Sequence, residues 1–87
     1  MAIIILSHDV KDFDAWKPYY EADSVRLDKA GFKELVVGTQ SDNPKKVFII
    51  WEGDPVKIDK MFQDPELVEL MKEAGVTSAP EVTVIKT

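Results

Sequence analysis

Few residues in this 87-residue chain can do chemistry. It has one histidine, His8, two tryptophans, Trp16 and Trp51, and two tyrosines, Tyr19 and Tyr20. A histidine beside a carboxylate has its protonated form favoured, and it can give or take a proton near neutral pH. His8 closes one apolar run and Trp51-Glu52 closes another. If both runs are neighbouring strands, the three side chains meet at one edge of a sheet. His8 is then the candidate catalytic acid or base, and a His8–Glu52 pair would raise the imidazole pKa. The opposing reading is a partly exposed histidine hydrogen-bonded at a strand end.

Trp16 and Tyr20 are four residues apart in a segment of helical periodicity, so they share one helix face. Such rings either fill the core or line a cavity between helix and sheet, and with Trp51 they suffice to line a site for a flat apolar ligand. Tyr19, Asp23 and Arg26 follow at spacings of four and three along a flank of the same helix. Arg26 either neutralises Asp23 as a surface pair or opens onto a polar cavity, where it could bind an acidic substrate. Lys45, Lys46, Lys57 and Lys60 read as solvated lysines.

Several functions are disfavoured by composition. Sixteen acids against 11 bases give a net charge of -5, a field that repels phosphate backbones and anionic lipid. Nucleic acid and membrane are therefore not expected partners. Without cysteine there is no disulfide and no thiolate metal site, and a single histidine leaves little for zinc. Four glycines form no phosphate-cradling pattern. No metal and no cofactor are expected, and the lack of cysteine fits the cytoplasm. No apolar run approaches the ~18 residues of a membrane-spanning helix. The apolar start, Ala2 to Leu6, lacks a basic leader and reads as a strand rather than a signal peptide.

The elements that must position these residues follow from periodicity and turn chemistry. Ala2 to about His8 and Val47 to Trp51 are short, β-branched and apolar at both parities, as strands buried on both faces are. Asp12 to Ala30 is helical and stops at Gly31; Pro18 favours Asp14 as N-cap, whereas Asp12 would cap a longer helix kinked at the proline. Phe32 to Gln40 is a strand, joined as a hairpin to the next through Ser41-Asp42-Asn43-Pro44. Asp54-Pro55 and Asp64-Pro65 each place a capping residue before a proline, so the second helix comes in two pieces. Leu67, Leu70, Met71 and Ala74 mark its buried face, and Gly75 its stop. Glu81 to Lys86 alternates as an edge strand with one wetter face.

The order is βαββαβ in a single domain, residues 1–87, of ferredoxin-like α+β class: a four-stranded antiparallel sheet with two helices on one face. The first and third strands are expected to be central, adjacent and parallel. Helices cover one sheet face only, while these strands are apolar on both. A second copy packed sheet to sheet, a homodimer, would cover the other face.

His8-Asp9-Val10-Lys11-Asp12 leading to Trp16-Lys17-Pro18, then Asp42-Asn43-Pro44, then Leu70-Met71-Lys72-Glu73-Ala74-Gly75-Val76 carry a resemblance spanning nearly the whole chain. In these segments the chain resembles the small bacterial proteins of the dimeric α+β barrel superfamily, whose relatives include antibiotic biosynthesis monooxygenase-like proteins. The resemblance implies the fold and the dimer. It does not specify an activity, because the superfamily hosts oxygenases, isomerases, haem enzymes and proteins without known activity. Haem-using relatives place a histidine on a helix or loop, unlike His8 at a strand end, so haem is not expected.

The functional expectation is a small-molecule-binding barrel, with a cofactor-independent monooxygenase or isomerase as its enzymatic form. Its catalytic candidate is His8, and its ligand-binding candidates are Trp16, Tyr20, Arg26, Trp51 and Glu52. The alternative is a non-catalytic structural or protein-interaction module.

Overall fold

The structure is a computed structural model and describes residues 2–87. Four strands, β1 (Ala2–Asp9), β2 (Lys33–Gln40), β3 (Asn43–Gly53) and β4 (Glu81–Lys86), form one sheet in the order β2-β3-β1-β4. Four short helices lie between them: α1 (Phe13–Ala22), α2 (Ser24–Lys29), α3 (Val56–Phe62) and α4 (Pro65–Glu73). This is the ferredoxin-like α+β arrangement, with β1 and β3 central and β4 at an edge as expected. No helix among the described residues is long and apolar enough to cross a membrane.

The expected parallel pairing of β1 and β3 is wrong: all three pairings in the sheet are antiparallel. From β1 the chain crosses over α1 and α2 to β2, which takes a place two strands away. The hairpin then returns β3 through the gap, so β3 must run against β1. The register follows from that reversal. His8 lies opposite Val47, whereas Trp51 and Glu52 lie opposite Ile4 and Ile3 at the other end of β1.

The first helical segment is two helices rather than one. Asp12 caps α1, its carboxylate accepting from the Asp14 N–H, so Pro18 lies inside the helix. The N–H that proline lacks would have gone to the carbonyl of Asp14, an exposed residue that water can reach. Asp23 breaks the segment: its N–H donates back to the Tyr19 and Tyr20 carbonyls, and its own carbonyl accepts from the Arg26 N–H to begin α2. The second helical segment comes in two pieces, as the repeated Asp-Pro signal requires. Asp54 and Asp64 each accept from the N–H two residues on, at 3.0 and 2.9 Å. Gly31 and Gly75 stop α2 and α4 with φ of 78° and 89°, a region L-residues avoid.

The core lies between sheet and helices. Ile4 and Leu6 of β1 and Val47, Ile49 and Trp51 of β3 face Trp16, Leu27, Ile58, Met61 and Leu67 from the four helices. Each such side chain contributes roughly 1.5–3 kcal/mol by leaving water. At one end of the core the Phe32 ring lies so close over Gly53 that a Cβ there would stand 2.4 Å from the ring. On the opposite sheet face Ile3, Ile5, Phe48 and Ile50 are half-buried, while Val36 and Ile85 are exposed. Val82 and Val84 of β4 are not buried. Both share the helix-side face with Leu6 and Ile4, but on this edge strand they stand at 39% and 45% exposure.

Candidate functional site

His8 belongs to the inner face of β1, with Leu6 and Ile4, and is only 5% exposed. Its position there follows from strand parity: every second residue from Ala2 points under the helices. The imidazole meets the Trp16 ring edge-on at 5.4 Å between centroids. One turn along α1, Tyr20 stacks on Trp16 at 5.1 Å with the planes 19° apart. Trp51 approaches from β3 and donates its Nε1–H to the Tyr20 hydroxyl at 3.1 Å, and that hydroxyl donates to Glu34 Oε1 at 2.8 Å. Sheet and helix thus fix three aromatic rings relative to one histidine.

These four side chains line one cleft, completed by Met61, Leu67 and Met71 from the other helix pair. Its cavity volume is about 60 Å³, enough for a few waters. Within this apolar wall the Nδ1 atom of His8 is buried and has no hydrogen-bond partner among the described residues. Burial lowers the His8 pKa below 6.5, against the opposing pull of the Asp9 carboxylate and of the nearby His8 and Asp9 backbone groups. The imidazole is therefore neutral at neutral pH, with one ring nitrogen able to accept and the other to donate. Burial likewise raises the Tyr20 pKa, so its phenol keeps its proton and acts as a donor.

Two of the residues proposed for ligand binding stand elsewhere. Glu52 pairs with Ile3, on the sheet face away from the helices, so it does not meet His8. The expected His8–Glu52 pair is thereby overturned, and so is the raised imidazole pKa built on it. Antiparallel pairing separates the two residues along the strands, and their parity puts them on opposite faces. Trp51 also lies away from His8 in register, yet its long side chain shares the inner face and reaches the same cleft.

Arg26 is in an ion cluster. Its Nε donates to the two Asp23 oxygens at 3.2 and 3.1 Å, its Nη1 pairs with Asp64, and its Nη2 lies 3.7 Å from Glu66. The expected Asp23 pair is present, but a guanidinium already facing three carboxylates offers little to an acidic substrate. Asp64 is held below the usual carboxylate pKa, first by the Glu66 N–H that it caps and then by Arg26.

Residue type and spacing do not mark Glu34 and Asp64 as site residues. The Asp64-Pro65 signal marked the cap but not the ion partner. Glu34 depends on a register irregularity between Glu34 and Val36 that turns it toward Tyr20, and no residue type announces it.

The chain matches the family described as "Domain of unknown function (DUF3764)" over residues 2–86. No curated protein matches it. Among solved structures, a candidate antibiotic biosynthesis monooxygenase from Bordetella bronchiseptica superposes with a TM-score of 0.74 at 13% identity, over 99% of this chain and 95% of that one. A conserved protein from Methanosarcina mazei gives 0.69 at 15% identity, over 99% and 92%. An uncharacterised NIPSNAP domain protein from Burkholderia xenovorans gives 0.67 at 10%, over 100% and 94%. Likeness at such identities is a likeness of fold. The chain belongs to the DUF3764 family and has the ferredoxin-like α+β fold of antibiotic biosynthesis monooxygenase-like and NIPSNAP proteins.

Proposed function

We propose that this protein binds a small, neutral, partly aromatic organic molecule in the His8 cleft, with a hydroxyl or similar group of the ligand on His8 Nδ1. The observation that carries the reading is the buried, unpartnered Nδ1 in a wall of aromatic and aliphatic side chains. Leaving such an atom unsatisfied costs about 1–3 kcal/mol, which a ligand hydroxyl would recover as donor or acceptor, whichever tautomer His8 adopts. Trp16, Tyr20 and Trp51 would stack against the ring. In the enzymatic form, a cofactor-independent monooxygenase or isomerase, the neutral imidazole takes a proton from the bound substrate.

Calorimetry with 2-naphthol and naphthalene tests this on the wild type and His8→Leu. The reading expects 2-naphthol to lose about 5- to 100-fold in affinity in the variant, the worth of one buried hydrogen bond, and naphthalene to lose little. Equal losses for both, or no binding of either to the wild type, would remove it.

We also infer that the protein is a homodimer through the sheet face bearing Ile3, Ile5, Phe48 and Ile50. The support is that an apolar face of this extent calls for a cover. A second copy suits it because its cross-strand pairs, Lys33 opposite Glu52 and Asp9 opposite Lys46, carry both signs of charge on one patch. A twofold axis can then set each charge against its opposite.

A further inference from the structure

We propose that ligand reaches the His8 cleft by a parting of the α1/α2 and α3/α4 helix pairs, and that Arg26 is the latch that holds them together. This rests on the cleft being the binding site, as argued above. Its starting point is a mismatch of size. The cavity is about 60 Å³, whereas pockets that enclose organic ligands hold roughly 300–1,000 Å³. An aromatic ring can enter only if a wall moves.

The sheet is the wall least able to move, since β1 and β3 are hydrogen-bonded on both sides. The other walls are the two helix pairs. Trp16, Tyr19 and Leu27 come from α1 and α2, and Met61, Leu67 and Met71 come from α3 and α4. Their attachments differ at the two ends of the cleft. Where α1 begins and α4 ends, the backbone ties them: the Lys11 N–H donates to the Gly75 carbonyl at 2.9 Å and the Thr77 N–H to the Asp9 carbonyl at 2.8 Å, beside a Val10–Val76 bridge. These bonds make a fixed end about which helices can swing.

At the other end the tie is a single side chain. Arg26 of α2 reaches Asp64 and Glu66 at the start of α4 while holding Asp23 at the α1–α2 break. No other ion pair among the described residues joins the two helix pairs. Asp23 lines the cleft itself, and Leu67, one turn beyond Asp64, does so too. The latch therefore sits at the mouth. With Arg26 at 24% and Asp64 at 34% side-chain exposure, water and salt can compete for it. Such a tie is weak enough to open and specific enough to close again.

The test uses Trp16 and Trp51, the only tryptophans, both in the cleft wall and both nearly inaccessible. Acrylamide, a neutral quencher, reports how often they become reachable. In Arg26→Gln and in Asp64→Asn, which keeps an N-cap acceptor, the quenching constant should rise about two- to fivefold, the population change expected from losing a partly exposed ion pair. In the wild type, raising NaCl from about 0.05 to about 0.5 M should act in the same direction. Lys17→Gln, which removes an ion pair within α1, should change nothing. Stopped-flow binding of 2-naphthol separates a latch from a structural tie: because the closed cleft of about 60 Å³ cannot hold the ring, association should accelerate by the factor seen in quenching while dissociation changes little, so that Kd falls with the association rate. Unchanged quenching in folded Asp64→Asn and at high salt, or a changed Kd at constant association rate, would overturn the latch. Should 2-naphthol bind no variant, the binding reading fails, and acrylamide still decides whether the helix pairs part.

Discussion

Trp51 Nε1 and the Tyr20 hydroxyl lie 3.1 Å apart, joining the central strand β3 to helix α1 across the wall of the cleft. The indole has one donor and no acceptor, and Trp51 is 3% exposed, so its need can be met only from within the protein. Tyr20 meets it and donates its own hydroxyl hydrogen bond to Glu34 at the exposed surface. A buried polar atom is thus satisfied through an intermediary that can reach water.

Tyr20→Phe should therefore destabilise the protein by about 1–3 kcal/mol, since it leaves the indole N–H buried without an acceptor. Glu34→Gln keeps an acceptor oxygen for the phenol and should cost less. Urea midpoints of the two variants give the comparison. An equal or larger loss in Glu34→Gln would mean that the surface contact, not the buried one, dominates.

The stability of the protein should depend on His8 in a defined pH window. Burial sets the folded pKa of His8 below its ordinary 6.5, so between the two values the unfolded chain binds a proton that the folded protein does not. The His8 contribution is complete above about 6.5, falls as pH drops through that value, and levels off below the folded pKa. His8→Gln cannot titrate and should lack this component. Parallel pH slopes for wild type and variant, measured from about pH 8 to about pH 5, would rule it out.

Gly53→Ala should destabilise by about 1–3 kcal/mol, because the new methyl group would have to displace the Phe32 ring lying 2.4 Å from the Cβ position. That ring packs on Trp51 with centroids 5.5 Å apart, so the disturbance should also show in tryptophan emission. A variant as stable as wild type would mean that Phe32 has another place to go.

Much of this architecture was legible in the sequence, for reasons that differ by element. The Leu67, Leu70, Met71, Ala74 stripe and the Asp-Pro pairs are local signals, and they gave α4 and the break between α3 and α4. His8, Trp16, Tyr20 and Trp51 converge because inward parity and helical spacing are also local. The His8–Glu52 pairing required the relative direction of two strands, which no local pattern encodes; reading β1 and β3 as parallel moved Glu52 to the wrong end. No local signal marks the break at Asp23, because Asp23 and Ser24 are both tolerable within a helix.

Ile50→Glu should dissociate the proposed dimer, since it places a charge at the centre of the apolar sheet face while leaving the helix-side core untouched. Light scattering across micromolar concentrations should give twice the chain mass for the wild type and a single chain for the variant. A monodisperse wild-type monomer would end the dimer proposal without touching the cleft.

The binding role of His8 is best tested by nuclear magnetic resonance with 15N-labelled histidine, because the chain has one histidine and its ring signals need no assignment. Added 2-naphthol should shift the Nδ1 resonance progressively to saturation, moving Nε2 less, at the affinity that calorimetry gives. In the free protein the same resonances should titrate below 6.5. Ring signals that stay fixed while 2-naphthol saturates the protein, or that titrate at or above 6.5, would contradict a neutral, buried His8 as the ligand's polar anchor.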